Sequence, residues 1–300
     1  MIPESRAFHA YIEAARPGGT WWQVLLGIVV VVAVWFGAGL GLAVLISTGI
    51  FSAVGLGPGA LDIMGRTLSP AAMIIFLLTF VGLWAGVWIA VRAVHRRPLG
   101  SLFGPGGRLD RGDMLRGAGL SAAYLAVGLV AYIAIMGPPQ RTELAFSEWA
   151  VWIVPVVLAI CVQASSEEVM FRGYLLQHFA VWSRNPIVWA VIPTLIFAVL
   201  HYDPEMEAGM RWRMLVHIAL FGLIAAALVW RTGNLGAAVG LHVANNIFAI
   251  GNAGIEGSAL GFELWLFPAE TLERMFAFDL ALGLLMLAAV FILFRPRSGL

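Results

Sequence analysis

The chain has 300 residues, of which 61% are hydrophobic and only 12% are charged, and its mean hydropathy is +0.89. Soluble globular chains have about 45–50% apolar and about 25% charged residues, and a chain of this length cannot bury so much apolar surface in a core of its own. The composition therefore excludes a soluble enzyme, a nucleic-acid-binding module and a disordered chain. It predicts an integral membrane protein.

Two further compositional features narrow the chemistry. All 18 basic residues are arginine, and the net charge of +1 points to no particular partner. The single cysteine, Cys161, lies in an apolar stretch. One cysteine cannot form an intrachain disulfide or a cysteine-based metal cluster.

The elements begin with an N-terminal segment, residues 1–19, which we expect to be cytoplasmic and interfacial, with a short helix that contains Phe8, Tyr11 and Ile12. Eight apolar segments follow, and a helix needs about 20 such residues to cross a bilayer. They are residues 20–48, 71–92, 114–136, 149–168, 187–201, 213–230, 235–252 and 276–294. We therefore predict an all-α, polytopic membrane helix bundle of about eight transmembrane helices, with residues 20–300 as a single transmembrane domain.

The distribution of arginine predicts the orientation of the bundle. With the loop between the second and third spans in the cytoplasm, thirteen of the 18 arginines fall in cytoplasmic segments. These thirteen are Arg6, Arg16, Arg92, Arg96, Arg97, Arg108, Arg111, Arg116, Arg172, Arg184, Arg231, Arg295 and Arg297, and the outer five are Arg66, Arg141, Arg211, Arg213 and Arg274. By the positive-inside rule, both termini are predicted to be cytoplasmic.

Ionisable side chains within a span cost about 2.5–3.5 kcal/mol each on insertion scales, so each one requires an explanation. A first polar group, from Ser165 to Arg172, ends the fourth predicted span. Glu168 and Arg172 are four residues apart and are expected to form an ion pair on one helix face. Glu167 has no such cation, and a lone carboxylate in apolar surroundings suits a general base. Two glutamates at headgroup level are an equally good interpretation of position alone.

Two more polar groups lie in the fifth and seventh predicted spans. His201 follows Phe197 by four residues at the end of the fifth span, where an interfacial role is favoured for a histidine taken alone. His242 and Asn246 are also four apart, so they share a face of the seventh span. That polar face favours an internal cavity, and hydrogen bonding between helices is the alternative.

Together these residues favour hydrolysis over transport. Glu167 could activate water, a histidine could shuttle the proton, and His242 with Asn246 could donate hydrogen bonds to an oxyanion. One carboxylate and two imidazoles could equally hold a divalent metal with one position open for water, and the residues alone leave both chemistries open. The sequence has no H-E-x-x-H helix, G-x-S-x-G elbow, Gly-x-Gly-Asp motif, Walker loop or Rossmann fingerprint.

The ordered set resembles a known family. Glu167-Glu168-x-x-x-Arg172, Phe197-x-x-x-His201 and His242-x-x-x-Asn246 match, in order and spacing, the three motifs of the CPBP (CAAX protease and bacteriocin-processing, also called Abi) intramembrane proteases. The resemblance covers about residues 149–250, the predicted protease-like core. Each motif alone is common, whereas the ordered set is specific.

The resemblance implies an intramembrane endopeptidase in which glutamate-activated water hydrolyses the peptide bond. The catalytic residues it implies are Glu167 and His201, which activate water, and His242 and Asn246, which stabilise the oxyanion; Glu168 and Arg172 support the site. Because members are often called metalloproteases, with metal use debated, a divalent metal such as zinc is one option that the resemblance leaves open; if a metal is present, Glu167, His201 and His242 are its candidate ligands.

The same resemblance implies the partners. We expect membrane lipids and a membrane-anchored peptide or protein substrate, for which a prenylated, CAAX-type substrate is one option, and no nucleic acid. The expected location is a bacterial plasma membrane. The sequence does not specify an oligomeric state.

The predicted spans place the motif residues at different depths. At about 1.5 Å per residue, Glu167 would lie near the cytoplasmic face and His201 near the outer face. We therefore predict that the fourth helix slides outward and continues through Tyr174–Trp182, and that the fifth begins below the membrane surface, which would give a cavity open to the cytoplasm. A Glu167 carboxylate more than about 10 Å from both histidines would contradict a shared site, because general bases act within hydrogen-bond reach.

Two other functions stay open. A proton-coupled transporter would use the same glutamate and histidines as a relay, although transporters usually show internal repeats with broken helices and the sequence shows none. A non-catalytic membrane scaffold or bacteriocin-immunity member of the family is the other alternative, against which the complete motif set argues.

Overall fold

A computed structural model describes residues 6–49, 70–256 and 262–294 of the chain. The helices in these ranges are α1 (Arg6–Glu13), α2 (Trp21–Ser47), α3 (Pro70–Leu78), α4 (Phe80–Ile89), α5 (Arg111–Met136), α6 (Phe146–Glu168), α7 (Leu176–Trp182), α8 (Ile192–Val199), α9 (Ala208–Thr232), α10 (Gly236–Gly251), α11 (Thr271–Arg274) and α12 (Phe276–Leu293). The strands are β1 (Gln140–Arg141), β2 (Ala253–Ile255) and β3 (Trp265–Phe267). Three arginines used for the orientation, Arg66, Arg295 and Arg297, lie outside the described residues.

Six helical stretches in the described ranges are long and apolar enough to cross a membrane. They are Trp21–Ser47, Pro70–Val94, Arg111–Met136, Phe146–Trp182, Ala208–Thr232 and Phe276–Leu293, and two shorter apolar helices are Ile187–Val199 and Gly236–Gly251. In lipid only internal hydrogen bonds satisfy the backbone, which is why such runs become helices. The prediction of an all-α polytopic bundle is confirmed. The number of crossings and the orientation stay predictions.

The fourth predicted span is longer than its apolar pattern suggested. The helix runs without a break from Phe146 to Trp182, a length of 37 residues, and its segment Val169–Leu175 is a π-helix between α6 and α7. The predicted continuation through Tyr174–Trp182 is confirmed. The first motif therefore lies inside a long helix and not at a helix end, and π-helical turns of this kind are frequent at functional sites.

The predicted N-terminal helix is present as α1, but its apolar face has a different partner. Phe8, Tyr11 and Ile12 are 1%, 0% and 6% exposed, and α1 contacts α7 and α9. These side chains therefore face protein, which an amphipathic pattern does not distinguish from a lipid surface; the interfacial position of the segment stays a prediction. The helix is thereby attached to the same core as the first motif.

Close helix contacts fix α10 beside α5. A side chain at Gly236 or Gly240 of α10 would overlap the backbone of Asp110 or Met114, and one at Gly117 of α5 would overlap Ala237. Small residues of this kind let membrane helices approach closely. This close packing holds α10 so that its polar face meets α6.

At the other end of the bundle the connections form a small sheet of order β1-β3-β2. Strand β1 pairs antiparallel with β3, Gln140 opposite Leu266, and β2 pairs parallel with β3, Gly254 opposite Leu266. Because β2 directly follows α10, the sheet fixes the C-terminal end of the helix that carries the third motif.

Candidate active site

The first and third motifs meet where α6 passes α10. The imidazole of His242 lies between two carboxylates: its Nδ1 is 2.8 Å from Glu168 Oε1 and its Nε2 is 3.5 Å from Glu167 Oε2. All three side chains are buried, with exposures of 4% for His242, 6% for Glu167 and 0% for Glu168. The distance of 3.5 Å between Glu167 and His242 is far below the separation of about 10 Å that would contradict a shared site.

The predicted ion pair between Glu168 and Arg172 is confirmed. Arg172 Nη1 donates to Glu168 Oε1 over 2.9 Å, and the two side chains are 2% and 0% exposed. The guanidinium also lies 4.6 Å above the ring of Phe197, a favourable cation–π position. Gly222 of α9 leaves the space for it, since a Cβ there would lie 2.8 Å from Arg172 Nη2.

These contacts fix the orientation of His242. Glu168, ionised beside Arg172, can only accept hydrogen bonds, so the Nδ1–H of His242 is the donor between them. The Nε2 atom then points at Glu167 and is the position that can accept or donate a proton during a reaction. A carboxylate behind a histidine in this way fixes its tautomer and ring position.

Glu167 is the less constrained of the two glutamates. Its Oε2 atom is buried and has no hydrogen-bond partner among the described residues. Buried polar atoms are normally satisfied by protein or by ordered water, so this oxygen is well suited to hold a water molecule beside His242 Nε2.

Asn246 stands one helical turn beyond His242, and its amide is held by two residues that the sequence argument did not include. Asn246 Nδ2 donates to Gln163 Oε1 over 2.9 Å, and Asn245 Nδ2 donates to Asn246 Oδ1 over 3.2 Å. Gln163 is 6% exposed. Its position four residues before Glu167, on the same helix face, was a signal that could have found it.

The second motif lies at the edge of this group. His201 follows α8, is exposed, and donates from Nδ1 to the Phe197 carbonyl over 2.8 Å. The Phe197 ring lies between the two histidines, its centroid 4.7 Å from that of His201 and 6.0 Å from that of His242. The structure thus brings five of the predicted site residues together: Glu167, Glu168, Arg172, His242 and Asn246. His201 contacts the Phe197 ring instead. Phe197, which received no role from the sequence, separates the two imidazoles.

A second polar network connects α1 to the helix that carries the first motif. The Tyr11 hydroxyl lies 2.9 Å from the Arg172 carbonyl, in the π-helical segment, and Gln177 Nε2 donates to the Tyr11 carbonyl. Arg97 Nη1 donates to Gln177 Oε1 over 2.9 Å. Burial lowers the pKa of Arg97 to about 10 and raises the pKa of Tyr11. The network ties the backbone at Arg172 to the N-terminal helix.

Comparison with known proteins agrees with this geometry. Residues 148–248 match the family described as "Type II CAAX prenyl endopeptidase Rce1-like". Residues 148–248 are thus an Rce1-like domain. A Bacillus subtilis (strain 168) protein named "Uncharacterized protein YyaK" is 29% identical over 193 residues, which cover 62% of this chain and 64% of that protein. The chain thus matches less than two thirds of that relative.

The family resemblance predicted from the three motifs is confirmed. The Rce1-like domain begins at α6 and ends within α10, so it contains Gln163 and every predicted site residue. At the family level this segment resembles a CAAX-type protease domain.

The candidate zinc ligands do not form a three-ligand site in the Rce1-like domain. Within the described residues, no three histidine, cysteine, aspartate or glutamate side chains are grouped so that they could hold a metal ion. His242 already engages Glu168 through Nδ1, and His201 is separated from it by Phe197. The arrangement does not fit the proposed ligand set.

Exposure indicates from which side the Rce1-like site is reached. His201 is exposed and Asn246 half-buried, whereas Arg172, Tyr11 and Leu102 close the opposite side at 1%, 0% and 0% exposure. The predicted orientation puts that closed side in the cytoplasm. Combined with the predicted orientation, this exposure favours an opening on the outer side over the predicted cytoplasmic one.

Proposed function

We propose that this protein is an intramembrane endopeptidase of a bacterial plasma membrane that hydrolyses a peptide bond in a membrane-anchored peptide or protein. The observation that carries the proposal is the position of His242 between Glu167 and Glu168 inside an Rce1-like domain. A histidine held from behind by an ion-paired carboxylate, facing a second carboxylate with an unpartnered oxygen, is an arrangement suited to activating water.

In the proposed reaction, Glu167 accepts a proton from a water molecule, and the resulting hydroxide adds to the carbonyl carbon of the substrate. The oxyanion accepts hydrogen bonds from His242 Nε2–H and from the free Nδ2–H of Asn246. Since Nδ1–H is donated to Glu168, His242 can act in this way only when both ring nitrogens carry a proton. Glu167 then gives this proton to the leaving nitrogen as the C–N bond breaks.

Gln163 has a positioning role in this proposal. Its Oε1 accepts one of the two Asn246 amide hydrogens, so the other is left for the oxyanion. Asn245 donates to Asn246 Oδ1, which prevents the amide from turning over. Catalysis by such donors depends on their being oriented before charge develops.

The substrate class follows from the apolar surroundings. We propose a membrane-anchored or lipidated peptide, and a prenylated CAAX peptide is the form that the family name suggests. Parallel assays of prenylated, palmitoylated and unmodified versions of one fluorogenic peptide test this. Equal cleavage of all three would contradict a requirement for a lipid anchor.

The proposal is tested with the full chain purified in detergent and assayed on these peptides. We expect Glu167→Gln and His242→Ala to lose at least about 100-fold in kcat, as removal of a catalytic group usually does. Glu148→Gln is the matched control, because Glu148 is an exposed glutamate at the start of the same helix. Equal cleavage by the wild type and both site variants would refute the mechanism.

Assays after treatment with a chelator test whether the reaction requires a metal ion. Full activity after exhaustive chelation supports the route written above. Loss of activity that zinc restores would show that a metal binds, and would make Glu167 and His242 ligands instead of base and donor.

A further inference from the structure

A cavity of about 320 Å³ lies between α1 and the turn that joins α7 to α8, away from the catalytic residues. Its walls come from three places in the chain: Phe8, His9, Ile12 and Arg16; Ala180–Arg184; and Trp189. Phe8 and Trp189 are buried, with ring centroids 5.1 Å apart. The cavity therefore has an apolar floor built by two separate parts of the fold.

The mouth of the cavity is positively charged. It carries Arg16 and Arg184, both exposed, and none of the described residues that line the cavity is Asp or Glu. Arg16 pairs with the exposed Glu13 at 2.6 Å, an interaction weakened by solvent. Even with Glu13 counted, the mouth has a net positive charge and suits an anion.

The position of the cavity points to a lipid. Trp21, Trp22 and Trp182 are 71%, 52% and 42% exposed. Trp182 lines the cavity and ends one candidate membrane-spanning helix, and Trp21 and Trp22 begin another. Exposed tryptophans at helix ends are typical of the bilayer interface. A cavity at this level with an apolar floor is reached from the headgroup layer, where a phospholipid phosphate is always close.

We propose that this cavity binds the headgroup of an anionic phospholipid, with Arg184 and Arg16 on its phosphate. Guanidinium groups bind phosphate oxygens in a bidentate manner. A zwitterionic headgroup would bring a cation towards the two arginines, so the site prefers phosphatidylglycerol to phosphatidylcholine. The proposal concerns lipid binding and does not depend on the endopeptidase reaction.

Occupancy would have a structural consequence for the site. The lipid would contact both α1 and the end of α7, and so hold α1 in place. The Tyr11 hydroxyl on α1 contacts the Arg172 carbonyl, so the lipid would stabilise the backbone from which the Arg172 side chain reaches Glu168.

The test measures lipid selectivity with the full chain reconstituted in phosphatidylcholine vesicles that contain trace spin-labelled phosphatidylglycerol or phosphatidylcholine. We expect electron spin resonance to show at least about fivefold selectivity of the wild type for phosphatidylglycerol, the scale of one arginine at an anionic surface. Arg184→Gln should lose most of it and Arg16→Gln part of it. Arg111→Gln, an exposed arginine at the start of α5, is the control and should keep it.

Three results would overturn the proposal. The wild type could show no selectivity, Arg184→Gln could keep the full selectivity, or Arg111→Gln could lose as much as Arg184→Gln, which would indicate a general surface effect. Competition with 10 mM glycerol phosphate separates a lipid from a soluble phosphate: displacement by glycerol phosphate would refute the lipid assignment. Folding of each variant is checked by circular dichroism before reconstitution.

Discussion

His242 donates through Nδ1 to Glu168 Oε1 over 2.8 Å, so the second glutamate of the first motif holds the imidazole and the first faces its reactive nitrogen. The two adjacent glutamates thus have different tasks. Glu168 is fixed through Oε1 by Arg172 and fixes His242 in turn, whereas Glu167 Oε2 lies 3.5 Å from His242 Nε2. Neutralising Glu168 should lower the stability of the fold, and neutralising Glu167 should lower the catalytic activity.

The buried pair of Glu168 and Arg172 gives the first prediction. Glu168→Leu or Arg172→Met alone should lower the free energy of unfolding by about 3–5 kcal/mol, because each leaves a buried charge without its partner. The double variant should recover much of that loss, since a well-packed apolar pair often replaces a buried ion pair at little cost. Unfolding in detergent, followed by circular dichroism, measures all three.

The activity of the double variant shows whether the Glu168–Arg172 pair also positions His242 for catalysis. The double variant should be folded and inactive, because His242 has lost the acceptor for its Nδ1–H. A double variant with wild-type turnover would show that Glu168 does not position His242.

The second prediction concerns Gln163 and Asn246. Asn246→Ala should lower kcat by about 10²–10³-fold, the usual effect of removing one oxyanion donor. Gln163→Ala should lower kcat by about 10-fold with little change in KM, because this substitution releases the Asn246 amide without removing the amide itself. In the Asn246→Ala background the Gln163→Ala change should have almost no further effect, since residues in one hydrogen-bond network are not additive.

Gln163→Leu keeps most of the side-chain volume but removes the acceptor, so it should lower kcat as much as Gln163→Ala does. Fully additive effects in the double-variant cycle would argue that Gln163 acts independently of Asn246.

Gly222 gives the third prediction. A Cβ at this position would lie 2.8 Å from both Arg172 Nη2 and Thr194 Cγ2. Gly222→Ala should therefore displace the guanidinium and lower the free energy of unfolding by about 1–3 kcal/mol, the range for overpacking, together with kcat. Gly119→Ala is the matched control on α5, where a Cβ meets no atom within 4 Å. Equal stability of the two alanine variants would show that the contact is not restrictive.

Hydropathy predicted the apolar helices because lipid leaves the backbone few alternatives. The Glu168–Arg172 pair followed from a spacing of four residues, and the meeting of α6 with α10 was expected from the chemistry of their polar residues and from the family resemblance. The π-helical segment around Arg172 has no local signal in the sequence. Only a longer fourth helix was predicted, from the depths of the motif residues.

Other features depend on tertiary contacts that no local pattern encodes. Gln163 sits in an apolar stretch, and only its partner Asn246, on another helix, gives it a role. Phe8, Tyr11 and Ile12 form an apolar face that is equally suited to lipid and protein. The separation of His201 from His242 by Phe197 depends on the angle between α8 and α10, which spacing does not determine.

His95 gives a prediction about pH. Burial lowers the pKa of His95 below its ordinary value of 6.5, and the charge of Arg97 acts in the same direction, while a hydrogen bond to Gly18 opposes them. The neutral ring donates from Nδ1 to the Gly18 carbonyl over 2.8 Å and accepts at Nε2 from the Tyr174 hydroxyl over 2.7 Å. The unfolded chain therefore binds the proton more readily, and the free energy of unfolding should fall as the pH drops through 6.5.

Thermal unfolding between pH 8 and pH 5 measures this dependence. His95→Gln should be less stable at pH 8 and should depend less on pH. His178 is the neighbouring titratable ring, 4.5 Å away by centroid, so His178→Gln is measured alongside to separate the two contributions. A wild-type stability that rises on acidification would contradict the argument.

The last prediction decides between the two expectations about the opening of the site. In a Cys161→Ala background, Gly106→Cys reports on the loop beside the closed side, because Gly106 is exposed and a Cβ there meets no atom within 4 Å. Glu205→Cys reports on the exposed loop that follows His201. With the arginine-based orientation, a membrane-impermeant maleimide added to intact cells should label Glu205→Cys and should label Gly106→Cys only after lysis. The opposite pattern would invert the bundle and restore a cytoplasmic opening, and in that case the arginine bias, not the exposure of His201, would be the misleading signal.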